Sequence, residues 1–136
     1  MIQMKEHNYL ESKDFTDKDW FAHGITQKQL DLTKITRIYP PVDFAKSIQQ
    51  QKHAYLTRFE ERIINELIED NKLPSEILNM AIHYVLVEDN RRKINPNYLK
   101  TIVNDWAQNH IETPEEAILY VKRRNQKLAN SYKKRK

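Results

Sequence analysis

Between Asp43 and Leu128 apolar residues recur at three- and four-residue intervals, the period of amphipathic helices and not of strands. Phe44 and Ile48 open the pattern. After a polar patch from Gln49 to His53 it resumes with Tyr55, Leu56, Phe59, Ile63, Leu67 and Ile68. This stretch predicts one long helix, or two broken near the glutamines, with Asp43 as N-cap. Asn71-Lys72-Leu73-Pro74 ends it, and Pro74 suits the first position of the next helix. Ile77, Leu78, Ala81, Ile82, Val85 and Leu86 form that helix's buried stripe, and Glu88 to Lys93 reads as a charged loop. Asn95-Pro96 restarts the chain as cap plus first-turn proline, and Tyr98, Leu99, Ile102, Val103 and Trp106 follow on one side. Thr113-Pro114-Glu115-Glu116 is the clearest start signal: Thr113 caps, Pro114 takes the first position and Glu116 completes a capping box. The last helix runs through Ala117, Ile118, Val121 and Leu128. The connections are short, about four to eight residues, as in compact helical domains. The pattern therefore predicts an all-α fold, a small compact domain of about four main helices over residues 41–126, with a basic tail over 127–136.

Residues 1–40 lack a sustained period. Phe15, Trp20, Phe21, Ile25, Leu30, Leu32, Ile35 and Ile38 supply apolar groups, Ser12 and Thr16 can cap short helices, and Gln27 to Lys34 suits another. Tyr39-Pro40-Pro41 interrupts regular structure. The expectation is an extension or linker with short helices.

Composition narrows the chemistry. The chain has 136 residues and no cysteine, which removes disulfides, thiolate zinc sites and cysteine nucleophiles. Its single glycine, Gly24, excludes glycine-rich phosphate loops and dinucleotide fingerprints and disfavours hairpin-rich folds. With a mean hydropathy of −0.85, the chain has no apolar run approaching a membrane span. No signal-peptide-like apolar region follows Met1. The expected setting is the reducing cytoplasm.

The five histidines, at 7, 23, 53, 83 and 110, form no ligand pair at metal spacing, and no Ser/His/Asp arrangement has a glycine elbow. Paired acids such as Glu60-Glu61 and Glu115-Glu116 read as solvated faces or helix-dipole complements. The expectation is a protein without catalytic residues, metal or cofactor.

Charge is the more informative quantity. The net charge of +4 combines 15 Lys/Arg and 19 Asp/Glu in residues 1–120 with eight Lys/Arg and no acid in residues 121–136. A basic terminus on an acidic body points to a polyanionic partner. On the last helix, with Lys122 at 0°, Arg123, Lys127 and Arg124 fall near 100°, 140° and 200°, and Lys133 and Lys134 near 20° and 120°. Ala117, Leu128, Val121, Tyr132 and Ile118 fall at about 220° to 320°. The cations thus mostly face away from the stripe, as a basic rod suited to phosphate contact or as a solubilising tail. Arg91-Arg92-Lys93 is a second basic run, equally suited to a solvated loop.

On the preceding helix Tyr98, Ile102 and Trp106 fall within about 80° of arc, which Leu99 and Val103 widen to about 140°. Ile102 and Trp106 lie inside the apolar sector, as core residues do. Tyr98 sits at its edge, where a phenol suits a half-buried rim and an exposed ring stacks on unpaired bases.

Four segments in register carry a family resemblance. Tyr98-Leu-Lys-Thr-Ile102-Val-Asn-Asp-Trp106 resembles the YxxxIxxxW pattern of the DnaD/DnaB-type replication-initiation proteins of Gram-positive bacteria. Leu73-Pro-Ser-Glu-Ile-Leu-Asn-Met-Ala-Ile-His-Tyr-Val-Leu is similar to the helix before it, with Asn95-Pro-Asn-Tyr leading into the motif. Ile111-Glu-Thr-Pro-Glu-Glu-Ala resembles the segment after it, and Pro41-Val-Asp-Phe-Ala-Lys the entry into the first helix. The resemblance covers about residues 41–126. It implies a primosome component that binds DNA, single strands above all and duplex as a second form. The partners it implies are the replicative helicase, its loader or another initiation protein. It implies DNA contact by Tyr98, Ile102 and Trp106 and by the basic stretch Lys122, Arg123, Arg124, Lys127, Lys133, Lys134, Arg135 and Lys136. The alternative is a protein-interaction module without strong DNA binding, suggested by the acidic body and the apolar residues before Tyr39. Peripheral membrane association enters by family analogy alone, and nucleoid association through partners. Family members usually carry an N-terminal winged-helix domain, for which residues 1–40 are too short, so a fragment or truncated paralogue is expected.

Overall fold

Helices begin in this chain where a side chain or a proline deals with the free N–H groups of the first turn. A computed structural model describes residues 14–134, with side chains as far as Ser131. Seven α-helices and no strand occur among the described residues. Thr16, Thr26 and Thr57 form capping boxes with Asp19, Gln29 and Glu60, starting α1 (Asp17–Ala22), α2 (Gln27–Ile38) and α4 (Arg58–Asp70). α3 (Pro41–Gln51) and α5 (Ser75–His83) start behind Pro40 and Pro74. Asn95 caps α6 (Pro96–Gln108) through the N–H of Tyr98. At α7 (Pro114–Lys134) the Thr113 hydroxyl accepts from the N–H of Glu116, whose carboxylate accepts from the N–H of Glu112.

With one glycine available, helix stops use other residues. α1, α3 and α6 end in Schellman motifs whose left-handed residue is Gly24 (φ 97°), His53 (φ 60°) and His110 (φ 55°). At the end of α4 the left-handed residue is Asn71 (φ 53°), whose N–H donates to the carbonyls of Leu67 and Ile68. In two of these stops the N–H beyond the turn returns to a tryptophan carbonyl: Ile25 to Trp20 and Ile111 to Trp106, each at 3.1 Å. Both pairs are buried, which closes the turn with an apolar contact. At Gly24 a Cβ would stand 2.9 Å from Lys122 Nζ, the end of a flexible exposed side chain that can shift aside, so it is the positive φ that calls for glycine here.

α5 is the axis of the molecule. It packs against α2, α3, α6 and α7. Residues Ile77 to Ile82 are all buried, as expected of a helix enclosed on every side. Its end widens into a π-helical segment, Tyr84–Glu88, closed by the Asp89 N–H on the Tyr84 carbonyl.

Several details differ from the sequence pattern. The stretch around the glutamines is two helices, and α3 starts at Pro41, so Asp43 lies in its first turn and does not cap it. Pro74 precedes its helix, and Glu88 belongs to the π segment. Ser12, proposed as a cap, lies outside the described residues. Within the expected extension, α2 reaches Ile38, four residues further than its pattern suggests. Trp20, Ile25 and Leu30 join the common core. Two polar ties hold α2 there. Asn79 Nδ2 donates to the carbonyls of Thr36 and Tyr39 (3.1 and 2.8 Å), and Arg37 makes a bidentate pair with Glu115 (3.0 and 2.9 Å). Burial pushes the Glu115 carboxyl up, but the Arg37 guanidinium outweighs it and leaves the group below the usual carboxylate range.

His83, at the end of α5, is largely buried, and its Nδ1 has no hydrogen-bond partner. Burial lowers its pKa to about 4. The folded state therefore keeps it neutral while the unfolded chain protonates below pH ~6.5. Its stabilising contribution is complete above that pH and is lost as pH falls towards 4, a change of about 3 kcal/mol. Urea unfolding between pH 7 and 4 should show this decline with His83 present and a flatter profile in His83→Leu. Equal slopes in the two would refute it. Glu88 Oε2 stands 3.9 Å from His83 Nδ1, and burial raises its carboxyl pKa, so the comparison is made in a Glu88→Gln background.

Candidate nucleic-acid interface

The terminal helix starts in the core and leaves it. Ala117 and Ile118 are buried, Leu119 to Val121 are half-buried, and every residue from Lys122 to Ser131 is exposed. No acid follows Glu116. Lys122 is exposed, yet its Nζ donates to the Gly24 carbonyl at 3.0 Å, tying α7 to the end of α1. Arg123 flanks a shallow pocket with Trp20, His23 and Tyr120. Arg124 lies 3.9 Å from Asp105, which also accepts from the Tyr120 hydroxyl at 2.8 Å. Lys127 is exposed. The backbones of Lys133 and Lys134 continue the helix, their side chains lie outside the described set, and Arg135 and Lys136 lie outside the described residues.

The motif helix divides as its arc suggests. Ile102 (7% exposed) and Trp106 (3%) are in the core. In this fold any part they have in DNA binding runs through the position of α6. Tyr98 is at the rim. Its hydroxyl donates to Asp89 at 2.8 Å, and the Arg91 guanidinium lies over its ring, 4.0 Å from the centroid. Arg91 Nε closes the triangle on Asp89 at 2.9 Å. Burial, with the bond to Asp89, pushes the Tyr98 phenol up to about 12, so it remains a donor at any physiological pH. Arg91 and Tyr98 hold Asp89 below the usual carboxylate range.

Tyr98 thus joins the Arg91-Arg92-Lys93 run and not the α7 cations. α7 meets α6 at Asp105, seven residues or about 10 Å along the helix from Tyr98. The sequence flagged both basic runs but not this grouping, which depends on the π segment returning the chain towards α6.

The loop after the π segment is held by three side chains, from α3, its C-cap and α4, which the sequence pattern did not reveal. Lys52 Nζ donates to the carbonyls of Leu86 and Arg91 (2.7 and 2.9 Å), and Gln49 Nε2 to that of Arg92 (3.0 Å). Glu60, 1% exposed, accepts the Ile94 N–H at 3.0 Å and the Thr57 N–H and hydroxyl at 3.0 Å each. By sequence Glu60 reads as a solvated acid or a helix-dipole complement; it stands in the first turn of α4, as the second reading has it, but it is buried. Its buried partners became visible only in three dimensions. The visible hint was Thr57 three residues before it, a capping-box spacing.

These features define a small all-helical domain with a projecting cationic helix. The chain belongs to the replication initiation and membrane attachment family, whose sequence profile matches residues 45–121. It is thus a replication-initiation domain, in agreement with the resemblance carried by its motifs. No solved structure matches the chain. The matched segment holds most of α3, all of α4 to α6 and the start of α7, while α1, α2 and the cations from Lys122 onward lie outside it. No helix among the described residues is long and apolar enough to cross a membrane.

Proposed function

We propose that this domain is a DNA-contacting module of the replication-initiation machinery, preferring single strands, and that it works by binding and not by catalysis. The observation that carries the reading is the α7 helix: an acid-free stretch from Lys122 to Ser131 in which every residue is exposed, continuing into four more cations by sequence. Phosphates would pair with Arg123, Arg124, Lys127 and the terminal cations, giving salt-sensitive and sequence-tolerant affinity. Tyr98 would offer its ring to a base only if Arg91 leaves it. The resemblance adds the setting, in which such binding helps to load the replicative helicase.

Truncation after Arg124 tests this while keeping Val121 on the core and Lys122 on Gly24. It removes five cations, Lys127, Lys133, Lys134, Arg135 and Lys136. Affinity for a fluorescent single strand at ~0.1 M salt should fall about 10- to 100-fold, and the slope of log K against log[salt] should flatten. Unchanged affinity and slope would refute the reading.

A second reading, docking of the helicase, its loader or another initiation protein, is favoured by a different observation. Ile35, Ile38 and Tyr39 stand 42%, 72% and 47% exposed at the end of α2. Capture of one of those proteins by a chain that binds no DNA would support it.

A further inference from the structure

An open groove of about 670 Å³ runs between the first turn of α4 and the loop after the π segment. Phe59, 53% exposed, forms one wall, and Arg91, Arg92 and Lys93 line the other. The Arg62 guanidinium lies 6.0 Å from the Phe59 ring centroid. Tyr55, 90% exposed, stands just ahead of the same turn. Glu60 is the groove's only lining acid, and it is buried and fully engaged with Thr57, Gln49 and Ile94.

We propose that this groove is a second seat for single-stranded nucleic acid, in which Phe59 stacks on a base, Arg92 and Lys93 hold the adjoining phosphates, and Tyr55, just ahead of the turn, offers a second ring. It rests on the DNA reading for the class of ligand but on none of the residues that carry that reading. Three observations converge on it.

The first is charge. Arg92 and Lys93 are exposed and have no acidic partner among the described residues, while the nearby acids are taken: Asp89 by Arg91 and Tyr98, and Glu61 by Lys46 at 3.4 Å. The second is the Phe59 ring, left half in solvent across the groove from those cations, with the exposed Tyr55 four residues before it in the chain. Flat rings interleaved with positive charge are what unpaired bases on a phosphate chain fit. The third is rigidity. The loop's main chain is fixed at Leu86, Arg91, Arg92 and Ile94 by Lys52, Gln49 and Glu60, two of which are 1% exposed. A loop needed only as a linker would not require buried polar anchors. A pre-set wall of cations binds without the cost of ordering itself. The groove also borders Tyr98 through Arg91, so a phosphate that draws Arg91 away would uncover the Tyr98 ring as a further stacking face.

The test uses a fluorescent fifteen-nucleotide dT strand with the full chain. Phe59→Ala should weaken binding about fivefold or more. Arg92→Ala/Lys93→Ala should reduce the salt slope by about 1.4. All three side chains are exposed, so melting temperatures should match the wild type and confirm that the fold is kept. In the protein truncated after Arg124, the same changes should remove most of the remaining affinity. Wild-type affinity and slope in both sets of variants would overturn the proposal while leaving the α7 reading intact. If the variants keep the oligonucleotide but lose a polyglutamate peptide that the wild type binds, the groove is a seat for acidic protein segments and the proposal is wrong. If the full chain binds no oligonucleotide, both readings fall together.

Discussion

Trp106→Ala should lower the unfolding free energy by about 3–5 kcal/mol, the range for deleting a large buried aromatic side chain. Trp106 is 3% exposed, and its carbonyl accepts the Ile111 N–H that closes the turn after α6. The substitution removes the ring from the core and weakens the apolar contact that supports the His110 stop. Urea unfolding monitored by circular dichroism would measure the loss. DNA binding should fall with the folded fraction and recover in conditions that restore folding. A Trp106→Ala protein that is as stable as wild type but fails to bind DNA would instead make the indole a contact residue. The distinction matters because a motif defined by three residues invites the assumption that all three touch the ligand. Here two of them hold the helix and only Tyr98 reaches the surface.

Glu60→Ala should cost about 2–4 kcal/mol, although it deletes an acid. The carboxylate serves two places at once: one oxygen caps α4 through Thr57, and the other takes the buried Ile94 N–H. Alanine leaves that N–H without a partner and removes half of a capping box. Glu60→Gln keeps one accepting oxygen and should recover about half of the loss, since it can serve α4 or Ile94 but not both. Hydrogen exchange at the Ile94 amide would check the local part, with faster exchange in Glu60→Ala than in a comparably destabilised core variant. Equal rates in the two would show that the clamp contributes only to global stability.

The helices were legible in the sequence because their signals are local. The spacing of Ile77, Leu78, Ala81, Ile82, Val85 and Leu86 gave α5, and Asn95-Pro96 and Thr113-Pro114 marked two starts within a residue. The burial of Ile102 and Trp106 and the rim position of Tyr98 followed from angular arithmetic alone. What was not legible depends on contacts distant in the chain. α2 lacks a strong apolar period because Thr33 and Thr36 are buried in it, their hydroxyls bonded back to the carbonyls of Leu30 and Thr33. Its docking needs Asn79 and Glu115, more than forty and seventy residues away respectively, which no local pattern reports. The stops at His53 and His110 escaped because glycine is the usual signal for a left-handed residue and histidine a rarer one. The same limit hid the role of Gln49. It sits in a polar patch that reads as a break, yet it is buried and holds the loop that carries Arg92.

The matching Trp20–Ile25 and Trp106–Ile111 turns place the molecule's two indoles on different helices of one core. One reports on residues ahead of the family segment and the other on its interior. Each is a built-in fluorophore at the end of its own helix. A Trp106→Phe chain would emit from α1 alone and a Trp20→Phe chain from α6 alone. Emission from the two during unfolding would then show whether the leading helices detach first or whether the chain melts in a single cooperative step.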